Sequence, residues 1–217
     1  MCCLALSCTV CLAGQDEQRL YGRLDMLIAR QADIEAEKMR HIEGMVQILK
    51  DATLTDAERY AVNDRLYNEY STLKYDSAFS YLRQNIALAE KMGDRWRATR
   101  SRLSMAHILA VAGLFGEAEK ALAAIDTSRL EGDVLVGYYK QLNELNLFKS
   151  EFASGTPFND DYHKNMQDYR RLLIANADRG SYDYVSVLAD YRAYQGNIDS
   201  AIQMLLEYLP ALKPGDR

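Results

Sequence analysis

The chain has three histidines, His41, His107 and His163. Histidine titrates near neutrality and serves as a general base and a metal ligand. These three lie far apart, and none belongs to a His-Glu-x-x-His or similar ligand spacing. They read as solvated or packed side chains. Asp160 and Asp161 are adjacent carboxylates of the type used in acid–base work. Their place just after Pro157 fits a helix start, where the helix dipole favours negative charge. Arg95, Arg97, Arg100 and Arg102 form a basic run around Trp96. The run could receive an anion, but a solvated helix face paired with nearby acids needs no ligand. There is no Gly-x-Ser-x-Gly elbow, phosphate-cradling glycine loop or dinucleotide fingerprint. The expectation is a chain that is not an enzyme, with no catalytic, cofactor or metal site.

The elements that position these residues are helical. The 217 residues contain only 3 prolines and 12 glycines, and helix formers dominate the rest. Fifteen tyrosines against one tryptophan suit helix–helix packing with hydroxyls at wet edges. The net charge of -5 argues against a nucleic-acid surface in this segment.

All four cysteines, Cys2, Cys3, Cys8 and Cys11, fall in an apolar, uncharged stretch from Met1 to Gly14. The stretch reads as the hydrophobic part of a secretory signal, with small residues for cleavage near Ala13-Gly14 and without the usual basic start. The alternative is a buried N-terminal segment of the mature domain. Ala5-Leu6-Ser7-Cys8 is a weak match to a lipidation site. The cysteine spacing suits neither a metal site nor a disulfide framework. No second run long and apolar enough for a membrane span follows.

Residues 16–52 carry one long helical pattern, with Leu20, Leu24, Leu27, Ile28, Ile34, Ile42, Met45 and Leu49 at helical spacing. Gln31 and Lys38 interrupt the stripe. This helix is expected to cap the array that follows or to mediate self-association as a homodimer. Thr55-Asp-Ala-Glu58 is a capping box that opens the next helix. Gly93, Gly113, Ser154-Gly155 and Gly180 break the rest into further helices, and Asp160 or Asp161 is expected to cap one of them. Gly113-Leu-Phe-Gly-Glu-Ala118 and Gly196-Asn-Ile-Asp-Ser-Ala201 each place a glycine five residues before an alanine. Glycine lets the chain reverse, and alanine lets two helices approach. Ala78, Ala118 and Ala201 open the second helix of three pairs, and Tyr162 takes the equivalent place in an irregular one. That gives four hairpins of roughly 40 residues over 55–212.

The two glycine-to-alanine units resemble tetratricopeptide repeats (TPRs). Met105-Ala106 and Leu188-Ala189 supply the small residue of the first helix. Leu122 and Leu205, with Leu82, supply the bulky residue after the alanine. The resemblance implies an all-α, right-handed, TPR-like α-solenoid with a long N-terminal helix. A narrower resemblance rests on Tyr75-Asp-Ser-Ala78, Ala87-Leu-Ala with Gly93-Asp94, Gly113 to Ala118, and Ile125-Asp126. These are similar to the exported N-terminal sensor region of poorly characterised Bacteroidetes membrane-bound transcription regulators. That resemblance implies a sensor or scaffold domain on the periplasmic side of a bacterial inner membrane. A membrane span, a coiled coil and a regulatory region would follow it. Leu212-Lys-Pro-Gly-Asp-Arg217 reads as a turn awaiting another helix, so a C-terminal part is expected beyond it. Membrane attachment would come only through that part or through a lipidated leader.

In TPRs the inner face comes from the first helix of each pair. Carried over by register, it holds Tyr60, Asn63, Tyr67 and Tyr70, then Arg100 and His107, then Asp183, Asp190 and Tyr194. A groove of tyrosines, one basic patch and two acids would suit a protein or an extended peptide. Otherwise these tyrosines fill space between helices, and the domain is a structural self-association module without a groove.

Overall fold

The computed structural model describes the backbone of residues 4–212 and the side chains of residues 17–212. The side chains of the leader expected over 1–14, its cysteines included, lie outside the described residues, as does the closing turn at 213–217. Among the described residues there are ten α-helices and no strand. None of these helices is long and apolar enough to cross a membrane. The chain divides into two compact units, Met1–Thr53 and Leu54–Arg217.

The first unit holds α1 (Leu4–Ala29) and α2 (Gln31–Ile48). A single helix was the sequence expectation; two segments meet at Arg30 instead. Arg30 itself is non-helical, at φ -96° and ψ 2°, and closes one segment while opening the next. The Arg30 N–H donates to the Met26 and Leu27 carbonyls at 3.2 Å, and the Ile34 N–H donates to the Arg30 carbonyl at 3.0 Å. Most of the described surface of this unit is exposed; Ile42 and Met45 are its buried side chains.

The second unit is built of α3 (Asp56–Tyr70), α4 (Tyr75–Lys91), α5 (Arg95–Val111), α6 (Phe115–Ala123), α7 (Gly132–Phe152), α8 (Asn159–Asn176), α9 (Tyr182–Tyr194) and α10 (Ile198–Tyr208). Consecutive helices pair as hairpins: α3 with α4, α5 with α6, α7 with α8, and α9 with α10. Each hairpin stacks on the next through α4 on α5, α5 on α7 and α8 on α9. This is a TPR-like α-solenoid.

The local chemistry explains the breaks. The capping box at Thr55 forms: the Glu58 N–H donates to Thr55 Oγ1 at 3.3 Å, and the Thr55 N–H donates to Glu58 Oε2 at 2.8 Å. Gly113 and Gly196 end α5 and α9 at φ of +76° and +85°. At each, two backbone bonds close the last turn. The Leu114 N–H reaches the Leu109 carbonyl and the Gly113 N–H reaches that of Ala110; Asn197 to Arg192 and Gly196 to Ala193 repeat the arrangement. Only a residue at ease in the left-handed region gives this reversal without strain. Asp160 and Asp161 do not cap α8. The helix begins at Asn159, with Phe158 at the N-cap position, so both acids sit inside the first turn, where they complement the dipole without bonding the cap.

The alanines do what the spacing predicts. Ala78, Ala118, Ala106 and Ala189 are fully or almost fully buried at helix contacts. The main core runs from Ala78 and Leu82 through Met105, Ala106 and Leu109 to Ala118, Leu122 and Leu145. Leu205 departs from the pattern. It is exposed, together with Ile198, Ile202, Leu206 and Leu209, because among the described residues no further helix lies over the outer side of α10.

Candidate protein-binding face

The first helices of the four hairpins, α3, α5, α7 and α9, are joined by a row of polar pairs. Asp64 of α3 and Arg100 of α5 form an ion pair at 3.7 Å, and the Arg100 guanidinium also lies over the Trp96 ring. The Tyr67 hydroxyl of α3 lies beside Ser104 of α5. His107 Nδ1 of α5 lies 2.8 Å from Glu144 Oε2 of α7. Lys140 of α7 donates to Asp183 Oδ1 of α9 at 2.5 Å. Spacing explains the row. Asp64/Tyr67, Arg100/Ser104/His107 and Lys140/Glu144 are three or four residues apart, so each set shares one helix face.

The row is partly exposed and alternates in sign. Arg100 and Lys140 keep about half their side-chain surface in water, and Glu144 keeps less than a third. Exposed pairs of this kind contribute only about 0–1 kcal/mol each to stability. Their effect is to fix a pattern of donors and acceptors along the array. Two members are titratably perturbed. The Glu144 hydrogen bond raises the His107 pKa, outweighing the lowering by burial and by Lys140. Burial raises the Tyr67 pKa, so its hydroxyl stays neutral well into the alkaline range.

Of the nine residues predicted for this face, Tyr67, Arg100, His107 and Asp183 come together in the row. Tyr70 is half-buried and turned to its own hairpin, stacked on Tyr81 with centroids 5.8 Å apart. Tyr60 and Asn63 leave the surface; both are buried. The Tyr60 hydroxyl donates to the Arg97 carbonyl at 3.2 Å and lies 2.9 Å from Ser101 Oγ, so it ties α3 to α5. Asp190 turns to Arg170 of α8, at 3.7 Å. Tyr194 is exposed beside a cavity of about 590 Å³ between α8 and α9, with His163, Lys164 and Tyr191. Four residues of the row, Asp64, Ser104, Lys140 and Glu144, were not anticipated. The register was not carried onto the irregular third hairpin, which holds Lys140 and Glu144, and on α3 and α5 it passed over Asp64 and Ser104. The i, i+4 pair of Lys140 and Glu144 was the available signal.

Three of the four arginines in the run are paired with acids. Arg97 meets Asp94, Arg102 meets Glu90, and Arg100 meets Asp64. Ser150 and His163 form a close hydroxyl–imidazole pair at 3.1 Å. The Ser150 hydroxyl, however, donates to Asn159 Oδ1 at 2.7 Å and the residue is buried, so the group braces α7 against the start of α8. Among the described residues, no group of three or more histidines, cysteines and acids is placed to hold a metal ion.

Stacked helical hairpins, left-handed glycines before buried alanines and a polar row on the first helices define the architecture. The SusR N-terminal TPR domain family matches residues 28–217. The chain belongs to that family. It is a TPR domain of the SusR type from Bacteroidetes. No curated protein matches it. A TPR domain is a scaffold for protein–protein interaction, and such domains are typically non-catalytic. In this TPR domain the polar row lies on the helices that line the inner face of such arrays.

Proposed function

We propose that this TPR domain is a protein- or peptide-binding sensor held outside the cytoplasm, coupled to a membrane-bound transcription regulator. The observation that carries the binding half is the row from Asp64 to Asp183 across all four hairpins. It offers cationic, anionic and hydroxyl groups on one side of the array. An extended segment with alternating charges would exchange these internal pairs for pairs with itself. The exported half rests on the apolar stretch ahead of Gln15 and on the resemblance of Tyr75 to Asp126 to exported sensor regions.

The binding half is tested by selecting peptides on the intact chain from a displayed library. Selected peptides are expected to lose affinity about tenfold on Lys140→Glu or Arg100→Glu, since reversing one exposed charge costs on the order of 1 kcal/mol. Affinity indifferent to both changes removes the row from the site. For export, alkaline phosphatase joined after Arg217 is expected to be active in intact cells. An inactive fusion, with the protein present, sinks the exported reading.

A further inference from the structure

We propose that the N-terminal helices pair with those of a second copy of this chain as a parallel, two-stranded coiled coil. The seam is Leu20, Leu24, Leu27, Gln31 and Ile34, at alternating spacings of four and three residues. That is the heptad spacing of the d and a positions, with Leu24 and Gln31 at a and Leu20, Leu27 and Ile34 at d. All five are exposed, Leu24 at 51% and Leu27 at 57%. Arg30, at φ -96° and ψ 2°, is the one residue on the seam's path outside the two helices, and the coil requires α1 and α2 to run on through it. A soluble helix rarely leaves such a stripe uncovered without a partner for it.

Charge selects the second copy and its direction. Arg23 and Arg30 occupy the g positions; Tyr21, Ile28 and Glu35 occupy e. In a parallel pair each g residue meets the e residue five places further along the partner. Arg23 then lays its aliphatic stem on Ile28 of the other copy, and Arg30 meets Glu35. Neither arginine has an ion-pair partner among the described residues. Glu35 accepts only the Gln31 amide, at 2.8 Å, and has a second oxygen to offer. An antiparallel pair would instead set arginine against arginine at g. Gln31 at a supplies the register: in register, the two amides face each other, and any slip buries one against leucine. The seam is short, so the association is reversible and concentration-dependent.

Sedimentation equilibrium on the full chain tests this. The wild type is expected to be a reversible monomer–dimer. Leu27→Asp is expected to stay monomeric at every concentration while keeping its helical circular dichroism. Arg30→Glu is expected to weaken the dimer about tenfold, and the double change Arg30→Glu with Glu35→Arg to restore it. A wild type that never dimerises, or a dimer that Leu27→Asp leaves intact, overturns the proposal. So does Arg30→Glu tightening the dimer, which is the antiparallel outcome. Peptide binding by the row is a separate readout, so either idea can fail alone.

Discussion

Replacing Gly113 by alanine isolates the backbone requirement of the hairpin. Gly113 sits at φ +76°, and a Cβ built there meets no atom within 4 Å. Steric clash with neighbours is therefore absent, and only the left-handed backbone opposes the change. That conformation costs an L-residue roughly 1–2 kcal/mol. Alanine also restricts the unfolded chain, which returns about 0.4–1 kcal/mol. The net expectation is a loss of about 0.5–1 kcal/mol. Gly116 provides the internal control. It lies three residues on, inside α6, where a Cβ also meets nothing within 4 Å and φ is not in the left-handed region. Gly116→Ala is expected to stabilise by about 0.5–1 kcal/mol, through helix propensity. Urea unfolding followed by circular dichroism reads both. The midpoints should move in opposite directions, with Tm separated by about 3–6 °C in a chain of this size. Gly113→Asn should fall between them, since asparagine tolerates the left-handed region better than alanine. If Gly113→Ala leaves the midpoint unchanged or raises it, the reversal does not depend on left-handed backbone and the argument from the glycine marks fails.

The other expectations concern the row and what lies beneath it. Tyr60→Phe should cost about 0.5–1.5 kcal/mol, the net worth of a buried hydrogen bond, while leaving affinity for selected peptides unchanged. A drop in affinity with unchanged stability would return Tyr60 to the surface. His107 has a raised folded pKa, so its contribution to stability is complete below the unfolded value of about 6.5 and fades as pH rises through the folded value. Comparing wild type with His107→Gln across that window should show the difference in melting temperature shrinking as pH increases; a difference that grows would contradict the sign.

The fold was legible because its signals are local. A capping box, a glycine at the end of a helix and an alanine at a crossing each act within one turn, and each reports its own reason. Gly113, Gly196 and Ala118 are where the spacing puts them for that reason. The faces of helices were less legible. Tyr60 and Tyr67 are both tyrosines on α3, yet one is buried and bonded to α5 while the other reaches the row. Seven residues is nearly two full turns, so the two lie on almost the same stripe of the helix. What separates them is the depth of the neighbouring helix at each level. Beside Tyr60 lie Ala98 and Ser101, small enough for the ring to sink between the helices. Tyr67 packs only partly buried against the main core, with Ser104, Arg100 and Glu144 near its hydroxyl. Side-chain size on α5 decides the fate of side chains on α3, and a register read along one helix does not contain it.

The same reasoning explains why the row crosses a hairpin that the repeat pattern described poorly. α7 lacks a glycine–alanine mark, and its return helix carries Tyr162 where the others carry alanine. Lys149 of α7 covers the ring from 4.6 Å and also pairs with Glu119 of α6, so a long cation ties the ring to α7 and α6. α7 also packs against α5, and the N-terminal half of its polar face, Lys140 and Glu144, stays in line with Arg100 and His107. The irregularity is confined to the second helix of the pair. The first helices keep a common face, and a binding row needs only those. A Tyr162→Ala change should therefore cost stability through lost packing and leave the His107–Glu144 and Lys140–Asp183 pairs standing. Retained dependence of peptide affinity on Lys140 in that variant is the expected result; its loss would mean that the return helix positions the row after all.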